Sequence, residues 1–213
     1  VKIRQPTLLP DLPLASLEDL TNGDIEEAHL YDIDATNCHI TSASIVGVLL
    51  EKVLLSGALI ERISARDLIA KQTDLSAATV SNGSINRAKF DNCRMSGVDM
   101  NKTTVHDVVF SGCKLDMANF RFADLRRVTF VDCILTEADF LGASLHDVTF
   151  VNSLLERTVF DQAKCKLVDL RSSQLYELSG WSSLRGATID SVQLAEVAPY
   201  LARQLGIFVQ NEV

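Results

Sequence analysis

A chain of 213 residues suits one domain or two small ones, and 47% hydrophobic with 23% charged residues is the balance of a soluble folded protein. The formal net charge of −8 repels nucleic acid and anionic membranes, so neither is expected as a direct partner. No Gly-rich phosphate loop, His-Glu-x-x-His or nucleophile elbow is present, so no enzyme, no cofactor and no catalytic residue is expected.

Residues 1–17 contain Pro6, Pro10 and Pro13 and read as an extended lead-in that covers the start of the following repeat. They hold no basic segment followed by an apolar core, so no secretory signal is expected. The longest apolar stretch, around Ser44–Leu55, is broken by Glu51 and Lys52 and is too short for a bilayer. A cytoplasmic location follows as the expectation.

From Leu20 to Leu175 every fifth residue is of one kind: 28 of these 32 positions hold Leu, Ile, Val, Phe or Met. Two places before each stands a mostly small residue, such as Ala28, Val48 or Ala58. A period of five fits neither a helix nor a flat strand. It fits a chain that turns a corner every five residues and stacks as a solenoid. The exceptions support this. Where the large position shrinks to Ala35, Ala65 or Ala70, the small one grows to Ile33, Ile63 or Leu68. Such compensation is what a filled interior of fixed volume requires, so both positions point inward.

A second period of 20 lies over the first. Phe90, Phe110, Phe130 and Phe150 fall in one column, Met100, Phe120, Phe140 and Phe160 in another, and Cys93, Cys113 and Cys133 in a third continued by Ser153 and Ser173. Twenty residues therefore make one coil of four sides. Residues 18–177 give eight coils and, at ~4.8 Å per step, a rod on the order of 34 Å long.

Cys38, Cys93, Cys113, Cys133 and Cys165 occupy inward positions and read as buried free thiols with packing roles. With no Cys-x-x-Cys and no His in the column, no metal site is expected. His106 and His146, each followed by an Asp (107, 147), share a position two coils apart, ~10 Å, too far for one metal ion. They read as outward solvated groups.

What remains is the outer surface. Residues 1–50 carry eight acids and two bases, a net of −6, while residues 51–213 contribute only −2. Glu18, Asp19, Asp24, Glu26, Glu27, Asp32 and Asp34 thus form an acidic end, a candidate site for a basic partner surface. In the later coils acids alternate with bases. A rival candidate is an apolar patch of Val131, Val151, Ile134 and Leu154, extended by Leu141 and Val159.

After Glu177 the pentads stop, and 178–213 read as a cap. Asp190-Ser191-Val192-Gln193 predicts a capped helix start, Leu194, Ala198, Leu201 and Leu205 recur at helical spacing, and Gly206 reads as the stop. Pro199 is expected to kink or split this helix. The apolar stripe with Ile207 and Phe208 exceeds what a single cap needs, which predicts a homodimer joined through its C-termini. The alternative is that the stripe closes its own last coil.

The units Ala118-Asn119-Phe120, Ala123-Asp124-Leu125 and Ala138-Asp139-Phe140 resemble the pentapeptide-repeat family, Ala-(Asp/Asn)-Leu-x-x. The resemblance covers about three quarters of the chain and implies a right-handed quadrilateral parallel β-helix, an all-β solenoid. The segment Leu184-Arg185-Gly186-Ala187-Thr188-Ile189, with Gln193 and Leu205-Gly206-Ile207, is similar to the C-terminal ends of the bacterial quinolone-resistance members. That likeness implies a dimeric rod that binds DNA gyrase or topoisomerase IV by imitating duplex DNA and so alters quinolone sensitivity. A general protein-interaction scaffold with no topoisomerase role is the alternative.

Overall fold

The computed structural model describes residues 2–21 and 23–209, so the outermost positions of the lead-in and of the C-terminal cap lie outside the described residues. The chain winds into a parallel β-solenoid of about eight coils. Every strand pairing joins residue i to residue i+20, as in Ile85↔Val105, Val105↔Leu125 and Leu125↔Leu145. In the third coil the sides are residues 63–66, 68–71, 73–76 and 78–81, termed sides one to four, and equivalent segments stack on them in the other coils.

A corner every five residues demands a backbone that no extended strand supplies. All 31 positions from 27 to 177 at that spacing have left-handed φ; only five are glycine, and 26 carry side chains. An L-residue adopts this conformation against a cost of about 1 kcal/mol or more, so ladder bonds and the filled interior must hold it there. At Gly142 (φ +65°) the reason for glycine is visible: a Cβ would lie 2.6 Å from the Phe122 ring, which rests on that corner from the coil below.

Inside, 31 of the 32 large positions are buried, Cys165 being the half-buried one. Ile63 and Leu68 are buried beside Ala65 and Ala70, and Ile33 packs half-buried against the same core as Ala35. The two phenylalanine columns stack ring on ring at 4.9–5.2 Å and meet edge to face at 6.1–6.3 Å. Small polar residues inside are satisfied by carbonyls of the coil below: Thr103 donates to Val80 (2.7 Å) and Thr158 to Leu135 (2.9 Å). Cys93, Cys113 and Cys133 make the same contact, and the neighbouring Cys133 thiol, with burial, pushes Cys113 up to about 12. Cys38 and Cys165, in the first and last coils, are half-buried.

Both ends are closed, and neither as simply as the sequence predicts. Helix α1 (Leu17–Thr21) drops Leu20 over the first coil, and Pro13 and Ala15 pair with the backbone of His29. The lead-in before them does not stop at that coil. It runs along the corner between sides one and two, where Thr7 N–H donates to Asp67 (3.2 Å) and Arg4 N–H to Asp107 (3.3 Å), in the third and fifth coils. The prolines explain the choice: without N–H groups they cannot join a ladder, and the segment is held instead by two carboxylates. At the other end the chain continues past Glu177 to complete the eighth coil, pairing Ser179 with Val159, and after a 3₁₀ turn (Trp181–Leu184) begins a ninth with Thr188 against Asp169.

Helix α2 (Ser191–Gln204) then seals the solenoid. Asp190 and Gln193 form the expected reciprocal cap, and Gly206 (φ +72°) ends the helix with Ile207 N–H bonded to Ala202 C=O. Pro199 does not split it; the helix is one element of 14 residues. Gln193 also acts as a surrogate rung. Its buried amide donates to the carbonyls of Leu170 (2.7 Å) and Ser173 (2.6 Å), the edge that a next coil would otherwise cover.

Candidate partner-binding surfaces

The acidic residues fall into two populations. From the second coil onward about half are paired, among them Asp67 with Arg87, Asp107 with Arg127, Asp139 with Arg121, Glu137 and Glu156 with Arg157, and Asp169 with Arg171, while Asp132, Glu177 and Glu196 stand exposed without an ion pair. Each pair joins neighbours on adjacent coils or on one side, so alternating charge along a column neutralises itself. Glu18, Asp19, Asp24, Glu26, Glu27, Asp32 and Asp34 are different. All seven are exposed, and among the described residues none makes an ion pair. Asp19, Asp24 and Asp34 accept backbone N–H bonds from Ser16, Ser44 and Thr36, which fix their directions. The Ser16 bonds hold Asp19 below the usual carboxylate range, and the Thr36 bonds do so for Asp34. Among the described residues the carboxylates of Glu18, Glu26, Glu27 and Asp32 make neither a hydrogen bond nor an ion pair.

Asp67 and Asp107 occupy corner positions between sides one and two. They are on the outside of the coil yet buried, 8% and 1% exposed, beneath the guanidiniums of Arg87 and Arg127 and the lead-in backbone. Those arginine bonds hold both carboxyls below their usual range against burial, which acts the other way. His106 and His146 do face outward, half-buried, in one column with Arg126 between them.

The apolar candidates sit on two surfaces. Val131 pairs with Val151 on side two, and Ile134 (42% exposed) with Leu154 around the corner on side three. Leu141 and Val159 lie on side four, across the corner that Arg157 occupies with Glu137 and Glu156, so they do not join that patch. Leu154 instead lines an open groove of about 760 Å³ with Glu156, Tyr176, Glu196 and Tyr200, between the last coils and α2. Sequence reading missed this groove because it exists only once α2 is laid back on side three.

In the C-terminal segment the core-facing residues are Gln193, Val197 and Leu201, one helical turn apart. Leu194, Ala198, Leu205, Ile207 and Phe208, the rest of the predicted dimer stripe, are exposed, Phe208 at 91%. The tail therefore closes its own coil with one face and leaves an apolar face uncovered. No helix among the described residues is long and apolar enough to cross a membrane.

A family model described as a pentapeptide repeat region matches residues 71–140 and 103–179. No curated protein matches the sequence. Among solved structures, full-length QnrB1, a plasmid-mediated fluoroquinolone resistance protein, is 20% identical over 91% of this chain and 94% of its own, with a TM-score of 0.53. HetL, a pentapeptide repeat protein involved in heterocyst differentiation regulation from the cyanobacterium Nostoc, is 17% identical over 79% of this chain and 90% of its own, with a TM-score of 0.47.

Proposed function

We propose that this chain, which belongs to the pentapeptide-repeat family, acts without catalysis as a rigid rod that binds a protein partner in the cytoplasm. The partner in this reading is a type II topoisomerase, DNA gyrase or topoisomerase IV, and the acidic N-terminal coils take the place of duplex DNA on its basic surface. One observation carries the proposal: seven exposed carboxylates without an ion pair are crowded into the lead-in and first coil, whereas about half of the acids further along are paired with arginine or lysine. An unpaired, backbone-oriented cluster of one sign attracts the opposite sign and disfavours like-charged partners. The topoisomerase class rests on the resemblance of residues 184–207 to the quinolone-resistance members. The uncovered face of Leu194, Ala198, Leu205, Ile207 and Phe208 joins two copies across a two-fold axis, which would place the acidic ends outward.

A second reading is a scaffold with no topoisomerase role, working through the patch of Val131, Val151, Ile134 and Leu154; the adjoining groove favours it. A supercoiling assay with and without quinolone separates the two. The first reading expects the purified protein to alter gyrase supercoiling or its inhibition, with Glu26→Gln/Glu27→Gln weakening the effect and Val151→Glu leaving it intact. A protein without effect in either assay, or one disabled only by Val151→Glu, defeats the first reading.

A further inference from the structure

Side one changes character along the rod. Its outer ladder reads Glu26, Val46, Arg66, Asn86, His106, Arg126, His146 and Lys166, each paired in register with the next. The parallel column beside it holds Ser64, Ser84 and Thr104. In coils three to five these columns line a groove of about 310 Å³. The lining itself includes two arginines (66 and 87) and no carboxylate, with Asp67, Asp107 and Asp124 beside it in sequence or in the ladder. The carboxylates are already engaged: Asp67 and Asp107 each accept two bonds from an arginine, and Asp124 is held by Arg126. Arg66 is not so committed. Its side chain is 57% exposed, and its Nε stands 3.9 Å from Asp67, beyond hydrogen-bond distance. Nε2 of His106 is buried at the groove wall without a hydrogen-bond partner among the described residues, 3.7 Å from Asp124.

We propose that this groove binds a tetrahedral oxyanion, a phosphate group carried either as the free ion or as a small monoester. Arg66 supplies the charge, and Ser64, Ser84, Thr104 and Asn86 supply neutral donors on successive rungs. Rungs about 5 Å apart bracket a single phosphate, whose oxygens accept charge-assisted and neutral bonds at about 2.8 Å. A carboxylate ligand, planar and with two oxygens, meets fewer of these donors. The site lies on coils three to five, away from the acidic end, and does not depend on the identity of the protein partner.

The test is a titration of the full chain with sodium phosphate and, separately, glucose 6-phosphate, followed by amide NMR at constant ionic strength against sodium chloride. Saturable shifts centred on Ser64, Ser84, Asn86 and His106 are expected with phosphate and absent with chloride. Tighter binding of the ester means the groove also takes the organic group; equal binding means the phosphate alone is read, and both outcomes support the site. Arg66→Gln should weaken binding by about tenfold, and Ser84→Asp, which puts a carboxylate in the groove, by more. Arg171→Gln, on the eighth coil, should change nothing. No saturable shift by about 10 mM phosphate, shifts matched by chloride, or an unaltered affinity in Arg66→Gln would overturn the proposal.

Discussion

Asp107 is a carboxylate on the outside of a corner that water hardly reaches, 1% exposed under Arg127 and the backbone of Arg4. The Arg127 bonds keep its folded-state affinity for protons below that of the unfolded chain. A depressed carboxyl contributes stability that is present above the ordinary carboxylate range, near pH 4, and is lost as pH falls through the folded value. Asp107→Asn should therefore cost about 2 kcal/mol at pH 7, since charged hydrogen bonds of this kind contribute roughly that much. The deficit should shrink as pH falls from about 5 to 3, where the native protein loses the same contribution. Urea unfolding at several pH values checks this; a deficit equal at every pH would contradict it. The inward residues were legible at this scale because their volumes compensate, Ile63 with Ala65 and Leu68 with Ala70. The corner geometry was not legible. Left-handed backbone is normally flagged by glycine, and here Asp, Arg, Phe122 and Leu167 adopt it because the stack, not the residue, imposes it.

Elements show the same division. Helix α2 could be read from Asp190, Gln193 and Gly206, since capping chemistry is local. Its inward face was not legible. The stripe of Leu194, Ala198 and Leu205 is exposed, whereas Gln193, a polar residue, turns inward to satisfy two carbonyls of the last coil. Nothing in a hydrophobic pattern marks an amide that imitates a β-rung. The lead-in was misjudged for a like reason: its partners, Asp67 and Asp107, lie 60 and 103 residues away from Thr7 and Arg4. For α2 the prediction concerns its free face. Leu205→Glu with Phe208→Glu leaves Gln193, Val197 and Leu201 in place, so the fold should persist while a dimer dissociates. Light scattering at micromolar concentration decides it: dimer for the native chain and monomer for the variant are expected, and a monomeric native chain would contradict the two-fold joint.

Taken whole, the molecule is a rod of stacked rungs with unpaired acids crowded at one end. Composition announced the imbalance, −6 in residues 1–50, but not that arginine and lysine would pair with about half of the later acids and with none of these seven. A contact built on exposed charge must fade with salt, because such charges are screened within about 10 Å at 0.1 M ionic strength. A packed apolar contact would persist. Direct titration of gyrase and of topoisomerase IV with the full chain, at low and high salt, reads this difference. The native protein should bind one of them and weaken steeply with salt. A variant carrying Glu18→Gln, Glu26→Gln, Glu27→Gln and Asp32→Asn should bind about tenfold less at low salt and respond little to more of it. Binding indifferent to both salt and the four substitutions, or no binding to either enzyme, would contradict the proposed role of the acidic end.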